Sequence, residues 1–209
     1  MNPGVAYVIR HGQTDSNVAQ LYAGRSPEHL NKTGLDEVLT LSHGLAACGF
    51  EAIWTSSIER ARETAAIIGT HLDLSVCVDH RLDEMRLGVW EGLTEEDTAR
   101  RFPVAHRVWL SEPDQLRLEG RETLAQLTER VMSAVRDAAN SGKRLLLVTH
   151  VAPIRVAVLS VLGQPLRLYK RIEVPNASCH ELDLLHGSVV KYPSAQRILV
   201  DDAHRSLAF

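Results

Sequence analysis

An arginine and a histidine come directly after a short apolar segment near the start of the chain. Val, Ile and Tyr dominate that segment, Val5–Ile9, and a continuous apolar run predicts a strand buried on both faces. Arg10, His11 and Gly12 follow at its carboxyl end, where open α/β sheets bind ligands. A cation beside an imidazole at this place indicates phosphoryl transfer through the histidine. The alternative is a strand end with a surface Arg and a capping His.

A second histidine occupies the same kind of position. His150 follows the apolar run Leu145–Thr149 and precedes a predicted helix. Histidines at the ends of two parallel strands converge in one crevice, and His11 is then the partner of His150. Neutral imidazole is the commonest metal ligand, so a metal site is an alternative. Two nearby cations, Arg10 and Arg60, would repel a divalent metal, whereas a phosphate accommodates all four groups.

Arg60 lies in the first turn of a predicted helix, just after the predicted strand Ala52–Thr55. Ser56 or Ser57 is a natural N-cap for this helix, and a helix N-terminus favours anions. A positive charge in the first turn is unfavourable by a few tenths to about 1 kcal/mol, and a bound dianion would reverse that effect. The alternative is a surface ion pair of Arg60 with a nearby carboxylate from Glu59, Glu63 or Glu84.

The segment Leu82–Gly92 crowds three carboxylates, an Arg, a Trp and two Gly together. A carboxyl beside apolar side chains has a raised pKa and acts as a general acid. Glu84 is the candidate, with Leu87 and Trp90 as its apolar neighbours. The alternative is a solvated loop.

The predicted elements alternate between strands and helices. This order predicts a three-layer α/β/α sandwich with a mostly parallel sheet, in which the last hairpin makes one strand antiparallel. We expect one domain over residues 1–209, with an irregular excursion over the active site at about residues 91–120. The predicted strands are Val5–Ile9, Ala52–Thr55, Ser75–Val78, Leu145–Thr149, Ser178–Leu184 and Val189–Tyr192, and the predicted helices are Thr33–Cys48, Ser57–His71, Arg121–Asn140 and Pro153–Leu162.

Composition limits the class of protein. The chain has 209 residues, 44% apolar and 23% charged, as in ordinary globular domains. A net charge of −3 gives no electrostatic footprint for nucleic acid or an anionic membrane, so neither is expected as a partner. The three cysteines lie far apart and the chain begins without a signal-like segment, which predicts reduced thiols in a cytoplasmic protein.

The four segments together resemble the histidine phosphatase superfamily, the phosphoglycerate-mutase-like proteins. The likeness rests on Arg-His-Gly at residue 10, S-x-x-x-R-A-x-x-T-A from Ser56, Glu84 before G-x-W-E-G, and His150 at a strand end. It covers about residues 5–163 and implies the fold described above. It also matches Asn17 to a phosphate contact and Gly24 to the substrate side of the pocket.

The resemblance implies a role for each of these residues. His11 is the nucleophile that forms a phosphohistidine, and Glu84 is the general acid and base. Arg10, Arg60 and His150 surround the phosphoryl oxygens. No metal and no cofactor are implied, and the partner is a small phosphomonoester. The substrate itself is not identified by the sequence.

The chain departs from the family pattern after the second histidine, where Val151 replaces the usual Gly; Val151 still offers a backbone N–H while its side chain narrows the pocket. Met85 follows Glu84 where the mutases have Arg, and the segment 88–92 resembles the phosphatase branch, with a short likeness around His150 to α-ribazole phosphatases. Arg25, Glu28, Arg86, Trp90 and the excursion over Pro103–Gly120 are expected to meet the substrate. A mutase of a small phosphorylated acid and a catalytically idle phosphate-binding module remain alternatives, and a homodimer is left open.

Overall fold

The computed structural model describes residues 4–192 and 196–197. Within them a seven-stranded sheet has the strand order β3-β2-β4-β1-β5-β6-β7, in which β1 to β4 are mutually parallel and β5, β6 and β7 follow as antiparallel neighbours. The predicted fold class is therefore confirmed, and the short β7 adds a second reversed strand. The strands are β1 (Val5–Arg10), β2 (Ala52–Thr55), β3 (Val76–Val78), β4 (Leu145–Thr149), β5 (Cys179–Asp183), β6 (Ser188–Tyr192) and β7 (Gln196–Arg197).

The pairing of β1 with β4 fixes the position of the two candidate histidines. These strands are almost entirely buried, as their continuous apolar runs predict. Arg10 is in register with Thr149, and the His11 amide donates to the Thr149 carbonyl at 3.0 Å. His11 and His150 therefore leave the sheet side by side at its carboxyl edge.

Helices cover both faces of the sheet. One apolar core lies between the sheet and α2 and α3, and the other lies between the sheet and α6 and α7. The helices are α1 (Asp15–Val18), α2 (Lys32–Leu45), α3 (Glu59–Leu72), α4 (Glu95–Arg101), α5 (Pro103–Ser111), α6 (Leu124–Asn140) and α7 (Val151–Val161). Short 3-10 helices occur at His80–Leu82, Gly88–Trp90, Pro113–Gln115 and Leu166–Arg171.

The helix boundaries differ from the sequence expectations for identifiable reasons. Helix α6 starts at Leu124 because Thr123 and Gln126 form a capping box there. Helix α7 starts at Val151, before Pro153, because proline is tolerated within the first turn. Helix α2 begins after Asn31, whose side chain caps it by accepting from the Gly34 amide at 2.9 Å.

The prediction that Ser56 or Ser57 caps α3 is wrong. The N-cap is Ile58, without a side-chain cap hydrogen bond, because both serine side chains donate to Asp83 instead. The excursion at residues 91–120 is also more regular than its prolines suggested, since it contains α4, α5 and a 3-10 turn. Pro103 occupies the first turn of α5, where its missing N–H has no cost.

Part of the expected single domain lies outside the described residues, namely 1–3, 193–195 and 198–209. Across the part of the chain that the structure describes, we find no helix with the length and apolar character that crossing a membrane requires.

His180 in β5 is a buried polar residue without a hydrogen-bond partner on either ring nitrogen among the described residues. Burial, followed by the nearby charge of Lys191, lowers its pKa to about 4. The folded protein therefore resists protonation at pH values where an unfolded histidine is already charged. Folding is consequently destabilised as the pH falls from the ordinary histidine pKa towards 4.

We expect His180→Leu to remove this acid sensitivity. The wild-type protein should lose about 2 kcal/mol more unfolding free energy than the variant between about pH 7 and pH 5. Urea unfolding at the two pH values measures the difference, with the exposed His71→Gln as control. Equal pH dependence of wild type and His180→Leu would contradict this account.

Candidate active site

A cavity of about 120 Å³ opens at the carboxyl edge of the sheet. It collects side chains from the end of β1, the start of α3, the loop after β3 and the start of α7, although these segments are far apart in the sequence. His150 lies beside this cavity, with its ring centroid 5.1 Å from that of His11. Seven of the eight predicted site residues line the cavity: Arg10, His11, Asn17, Gly24, Arg60, Glu84 and Val151.

The tautomer of His11 follows from its hydrogen bonds. Its Nδ1 lies 2.7 Å from the Gly12 carbonyl oxygen, which only accepts, so Nδ1 carries the proton. The Nε2 lone pair accepts from Arg60 Nε at 3.2 Å. Burial, with the charges of Arg60 and Arg10, lowers the pKa of His11 well below its usual value. His11 is thus a neutral imidazole with Nε2 as its unprotonated nitrogen, which is the form a nucleophile needs.

Each nitrogen of the Arg60 guanidinium group has a hydrogen-bond partner inside the protein. Only 2% of its surface is exposed, and it donates to the carbonyls of Gly24 at 2.7 Å and Ser26 at 3.1 Å as well as to His11. The alternative of a surface ion pair with a glutamate is therefore wrong. Gly24 has φ +54°, and a Cβ there would lie 2.5 Å from a Glu91 carboxylate oxygen, so the carbonyl that holds Arg60 depends on glycine.

Arg10 is held near His11 by a main-chain carbonyl. Its NH1 donates to the Val174 carbonyl at 2.6 Å, while its Nε is buried without a partner among the described residues. Burial lowers the pKa of Arg10 to about 10. The guanidinium groups of buried Arg60 and partly buried Arg10 thus lie near one imidazole without a carboxylate ion pair in the described structure, which favours an anion in the cavity.

Glu84 has the environment of a proton donor. It is 7% exposed, and burial raises its pKa above the usual value. The Met85 amide at 2.6 Å and the charge of Arg60 act in the opposite direction. Arg25 and Arg130 donate to the backbone carbonyl of Glu84 at 2.9 and 3.2 Å. These bonds hold the main chain at Glu84 in place and leave its carboxyl group outside an ion pair with either arginine.

Asn17 and Val151 provide neutral donors. The Asn17 Oδ1 accepts from the Thr14 amide at 3.2 Å and from Asn176 Nδ2 at 2.9 Å, so its amide nitrogen is the group that can donate to a ligand. Val151 is the first residue of α7, and its N-cap residue, His150, makes no side-chain cap bond. The backbone N–H of Val151 is therefore a donor at the positive end of a helix.

The sequence did not identify the residues that hold these groups in place. Asn176 donates to the His11 carbonyl at 3.1 Å, Arg130 forms an ion pair with Glu122, and Asp83 accepts from Ser56 at 3.0 Å. Asp83 was counted among the clustered carboxylates, which was the one available signal. Asn176 and Arg130 lie in segments without a motif and reach the site only through the tertiary fold.

The wall of the cavity is aromatic. Tyr22, Trp109 and Tyr169 line it, and the rings of Trp109 and Tyr169 are 5.3 Å apart. Behind this wall the Arg121 guanidinium stacks 4.3 Å from the Trp109 ring and 5.2 Å from the Trp90 ring. Four residues expected to meet the substrate are absent from the cavity lining: Arg25, Glu28, Arg86 and Trp90. Arg25 binds the Glu84 backbone and Trp90 is completely buried, which explains two of these departures.

Comparison with known proteins shows which family and which folds this chain matches. Residues 6–191 match the sequence model of the histidine phosphatase superfamily (branch 1). The structure of a mycobacterial glucosyl-3-phosphoglycerate phosphatase complexed with VO3 superimposes with a TM-score of 0.77 at 26% identity, over 85% of this chain and 90% of that one.

The curated relatives include several kinds of protein. A bifunctional protein of Mycobacterium tuberculosis is 33% identical over 175 residues, or 82% of this chain and 48% of the relative, so the chain spans about half of that relative's length. The adenosylcobalamin/alpha-ribazole phosphatase of Salmonella typhimurium is 27% identical over 87% of this chain and 91% of its own. A probable phosphoglycerate mutase of Salmonella paratyphi B is 28% identical, over 85% of this chain and 83% of its own.

We expect Arg60→Lys to weaken binding of inorganic phosphate about tenfold or more, because lysine keeps the charge but loses the guanidinium geometry that contacts His11, Gly24 and Ser26 together. Calorimetric titration with phosphate measures the change. The control is Arg62→Lys, a half-exposed residue of the same helix that pairs with Glu59. Unchanged affinity in Arg60→Lys would show that charge alone is sufficient.

Proposed function

Since the chain belongs to branch 1 of the histidine phosphatase superfamily, we propose that it hydrolyses small phosphomonoesters through a phosphohistidine at His11. The observation that carries this proposal is the state of His11. The Gly12 carbonyl holds the proton on Nδ1, and Nε2 stays unprotonated beside buried Arg60, with the charge of partly buried Arg10 nearby. This arrangement supplies a nucleophilic nitrogen together with the positive charge that a phosphoryl group requires.

In the first step, His11 Nε2 forms a bond to phosphorus while the bond from phosphorus to the ester oxygen breaks. Arg60 Nε, which donates to Nε2 in the empty site, transfers its hydrogen bond to a phosphoryl oxygen. Arg10, His150, Asn17 and the Val151 amide provide the other donors. Because the site is buried, these charges act at low dielectric, and their fixed positions avoid reorganisation during the reaction.

Glu84 manages the proton in both steps. Its raised pKa favours the protonated carboxyl, which gives its proton to the leaving alcohol oxygen. In the second step the resulting carboxylate takes a proton from water, whose oxygen attacks phosphorus as the bond to His11 Nε2 breaks. Phosphate leaves, and both His11 and Glu84 return to their starting states.

We further propose that hydrolysis needs no metal. Arg10, Arg60 and Arg155 line the cavity with Glu84 as the single carboxylate among the described lining residues. Divalent cations such as Mg²⁺ prefer sets of oxygen ligands, and three arginines oppose their binding. The arginines themselves supply the charge that a metal would otherwise bring.

The cavity supports a small substrate. Its volume of about 120 Å³ and its wall of Tyr22, Trp109 and Tyr169 favour a leaving group with an apolar or ring-shaped face. An adenosylcobalamin/alpha-ribazole phosphatase and a glucosyl-3-phosphoglycerate phosphatase are among the similar proteins, which supports a phosphorylated metabolite as the substrate.

His11→Ala should abolish turnover of p-nitrophenyl phosphate and the acid-labile phosphoenzyme, because the attacking nitrogen is lost. Wild-type turnover should be unchanged after dialysis against a chelator. Released phosphate and trapped radiolabelled protein are the two readouts, and circular dichroism checks that the variant is folded. Substantial activity in folded His11→Ala would contradict the assignment of the nucleophile. A loss of wild-type turnover after dialysis against a chelator, restored by Mg²⁺, Mn²⁺ or Zn²⁺, would contradict metal independence.

Glu84→Gln should slow the hydrolysis of alkyl phosphates by at least about a hundredfold and that of p-nitrophenyl phosphate much less, since nitrophenolate leaves without a proton. For alkyl phosphates the wild-type rate should fall as the pH rises through the Glu84 pKa, and Glu84→Gln should lack this alkaline limb. Asp97→Asn, at an exposed carboxylate in α4, is the control. Equal losses for both leaving groups would instead indicate a structural role.

A mutase remains the second candidate, because probable phosphoglycerate mutases are among the relatives. Met85 follows Glu84 where mutases carry Arg, which favours the phosphatase. Product analysis with 3-phosphoglycerate and other monoesters distinguishes the two. A phosphatase releases phosphate in step with dephosphorylated product, whereas faster formation of an isomeric phosphoester would establish the mutase.

A further inference from the structure

A chain of three side chains runs from the second histidine away from the cavity. His150 Nε2 lies 2.8 Å from Ser56 Oγ, and Ser56 Oγ donates to Asp83 Oδ1 at 3.0 Å. All three residues are buried, with His150 and Ser56 completely so. The function proposed above uses His150 but assigns no role to Ser56 or Asp83.

The direction of these hydrogen bonds determines the tautomer of His150. A carboxylate only accepts, so the single hydroxyl proton of Ser56 points to Asp83. Ser56 Oγ must then accept from His150, as it also does from the Ile58 amide at 3.2 Å. In the empty site His150 therefore carries its proton on Nε2, and Nδ1 is unprotonated.

The second ring nitrogen of His150, Nδ1, is buried and unpaired in the described structure. His150 Nδ1 has no hydrogen-bond partner among the described residues, and the ring stands beside that of His11 at the cavity. An unprotonated nitrogen cannot donate to a phosphoryl oxygen, since both atoms are acceptors. A phosphate in this cavity can contact Nδ1 favourably only when that nitrogen gains a proton.

The charges around His150 make the protonation of Nδ1 depend on bound phosphate. Burial and the charges of Arg60, His11, Arg10 and Arg130 lower the pKa of His150 well below its usual value, so the empty site holds it neutral. A phosphate dianion offsets those positive charges and favours the imidazolium. The titratable and charged groups that act on His150 are Arg10 and His11 at the end of β1, Arg60 in α3 and Arg130 in α6, while Asp83 in the loop after β3 reaches it through Ser56.

We infer that Ser56 and Asp83 are positioning residues that make phosphate binding proton-linked, by presetting His150 with an unprotonated Nδ1 that takes up one proton with each phosphate dianion. The proton comes from solvent or from the phosphate monoanion, it becomes the Nδ1–H that donates to a phosphoryl oxygen, and it leaves with the released phosphate. No bond to phosphorus changes in this step. The inference rests on the proposed function, because it concerns the same phosphate site.

The structure provides a matched pair of variants. Ser57 also donates to Asp83 Oδ1, at 2.9 Å from its hydroxyl, but no described contact joins it to His150. Ser56→Ala frees His150 to carry its proton on Nδ1, so that phosphate binds without proton uptake there. Asp83→Ala removes the acceptor, so the serine hydroxyl can turn towards His150 with the same consequence. Ser57→Ala should behave as wild type.

Nitrogen-15 NMR of the histidine side chains reads this directly, with His150 assigned through His150→Gln. At about pH 8, where inorganic phosphate is a dianion, the empty wild-type protein should show an unprotonated Nδ1, and saturation with phosphate should protonate it. In Ser56→Ala and Asp83→Ala the Nδ1 should already be protonated in the phosphate-free protein. A protonated Nδ1 in the empty wild type, or an unprotonated one in its phosphate complex, would overturn the inference.

The pH dependence of phosphate affinity is the second readout. If binding of phosphate takes up one proton, the Kd for phosphate rises about tenfold for each unit by which the pH is raised. The factor by which the Kd for phosphate rises per pH unit should be about tenfold smaller in Ser56→Ala than in Ser57→Ala. Any proton uptake by His11 or Glu84 is common to both variants and does not affect this difference. Identical slopes in folded variants would contradict the inference, and the wild-type NMR decides it if a variant fails to fold. Turnover without proton uptake at His150 would overturn this inference alone, whereas absence of phosphate binding to wild type would contradict the proposed function and this inference together.

Discussion

The site depends on two guanidinium groups, one buried and one partly buried, that are held without a carboxylate ion pair. Arg10 and Arg60 are held by main-chain carbonyls, those of Val174, Gly24 and Ser26. A carbonyl dipole fixes the position of a cation but leaves its net charge uncompensated, which makes the empty site electrostatically unfavourable. The same charge becomes favourable when a phosphate enters. The fold thus holds the positive charges of Arg10 and Arg60 in fixed positions where an anion balances them.

This charged site is stable because the surrounding framework is rigid and apolar. The β1–β4 pairing places the two histidines, and two cores with completely buried residues such as Ile9 and Leu147 hold those strands from both faces. Around the rim the loop at residues 172–178 supplies the bonds to Arg10 and His11. The cost of burying charge is therefore offset by packing energy elsewhere in the fold, a common arrangement in functional sites.

The sequence was sufficient for most of the sheet and for seven of the residues that line the cavity, because these leave local signals, but it did not predict Tyr22, Arg155 or Tyr169. Apolar runs that end in Arg10-His11 and in His150 state where strands stop, and strand ends at one sheet edge converge. The supporting contacts leave no such signal. Asn176, Arg130 and Asp83 reach the site through long-range packing, and the serines near α3 looked like caps because capping and binding to a distant carboxylate use the same residue types.

The protonation states of the two histidines were equally beyond reach of the sequence, and they show why the pair is not interchangeable. His11 is fixed by the carbonyl of its own neighbour, so its tautomer is a local property of the main chain. His150 is fixed by Ser56 and, through it, by a carboxylate, so its tautomer depends on three segments of the fold. The first arrangement keeps a lone pair available for a bond to phosphorus. The second leaves a lone pair that must be protonated before it can contact phosphate, so identical side chains at equivalent strand ends acquire different chemistry from the partners behind them.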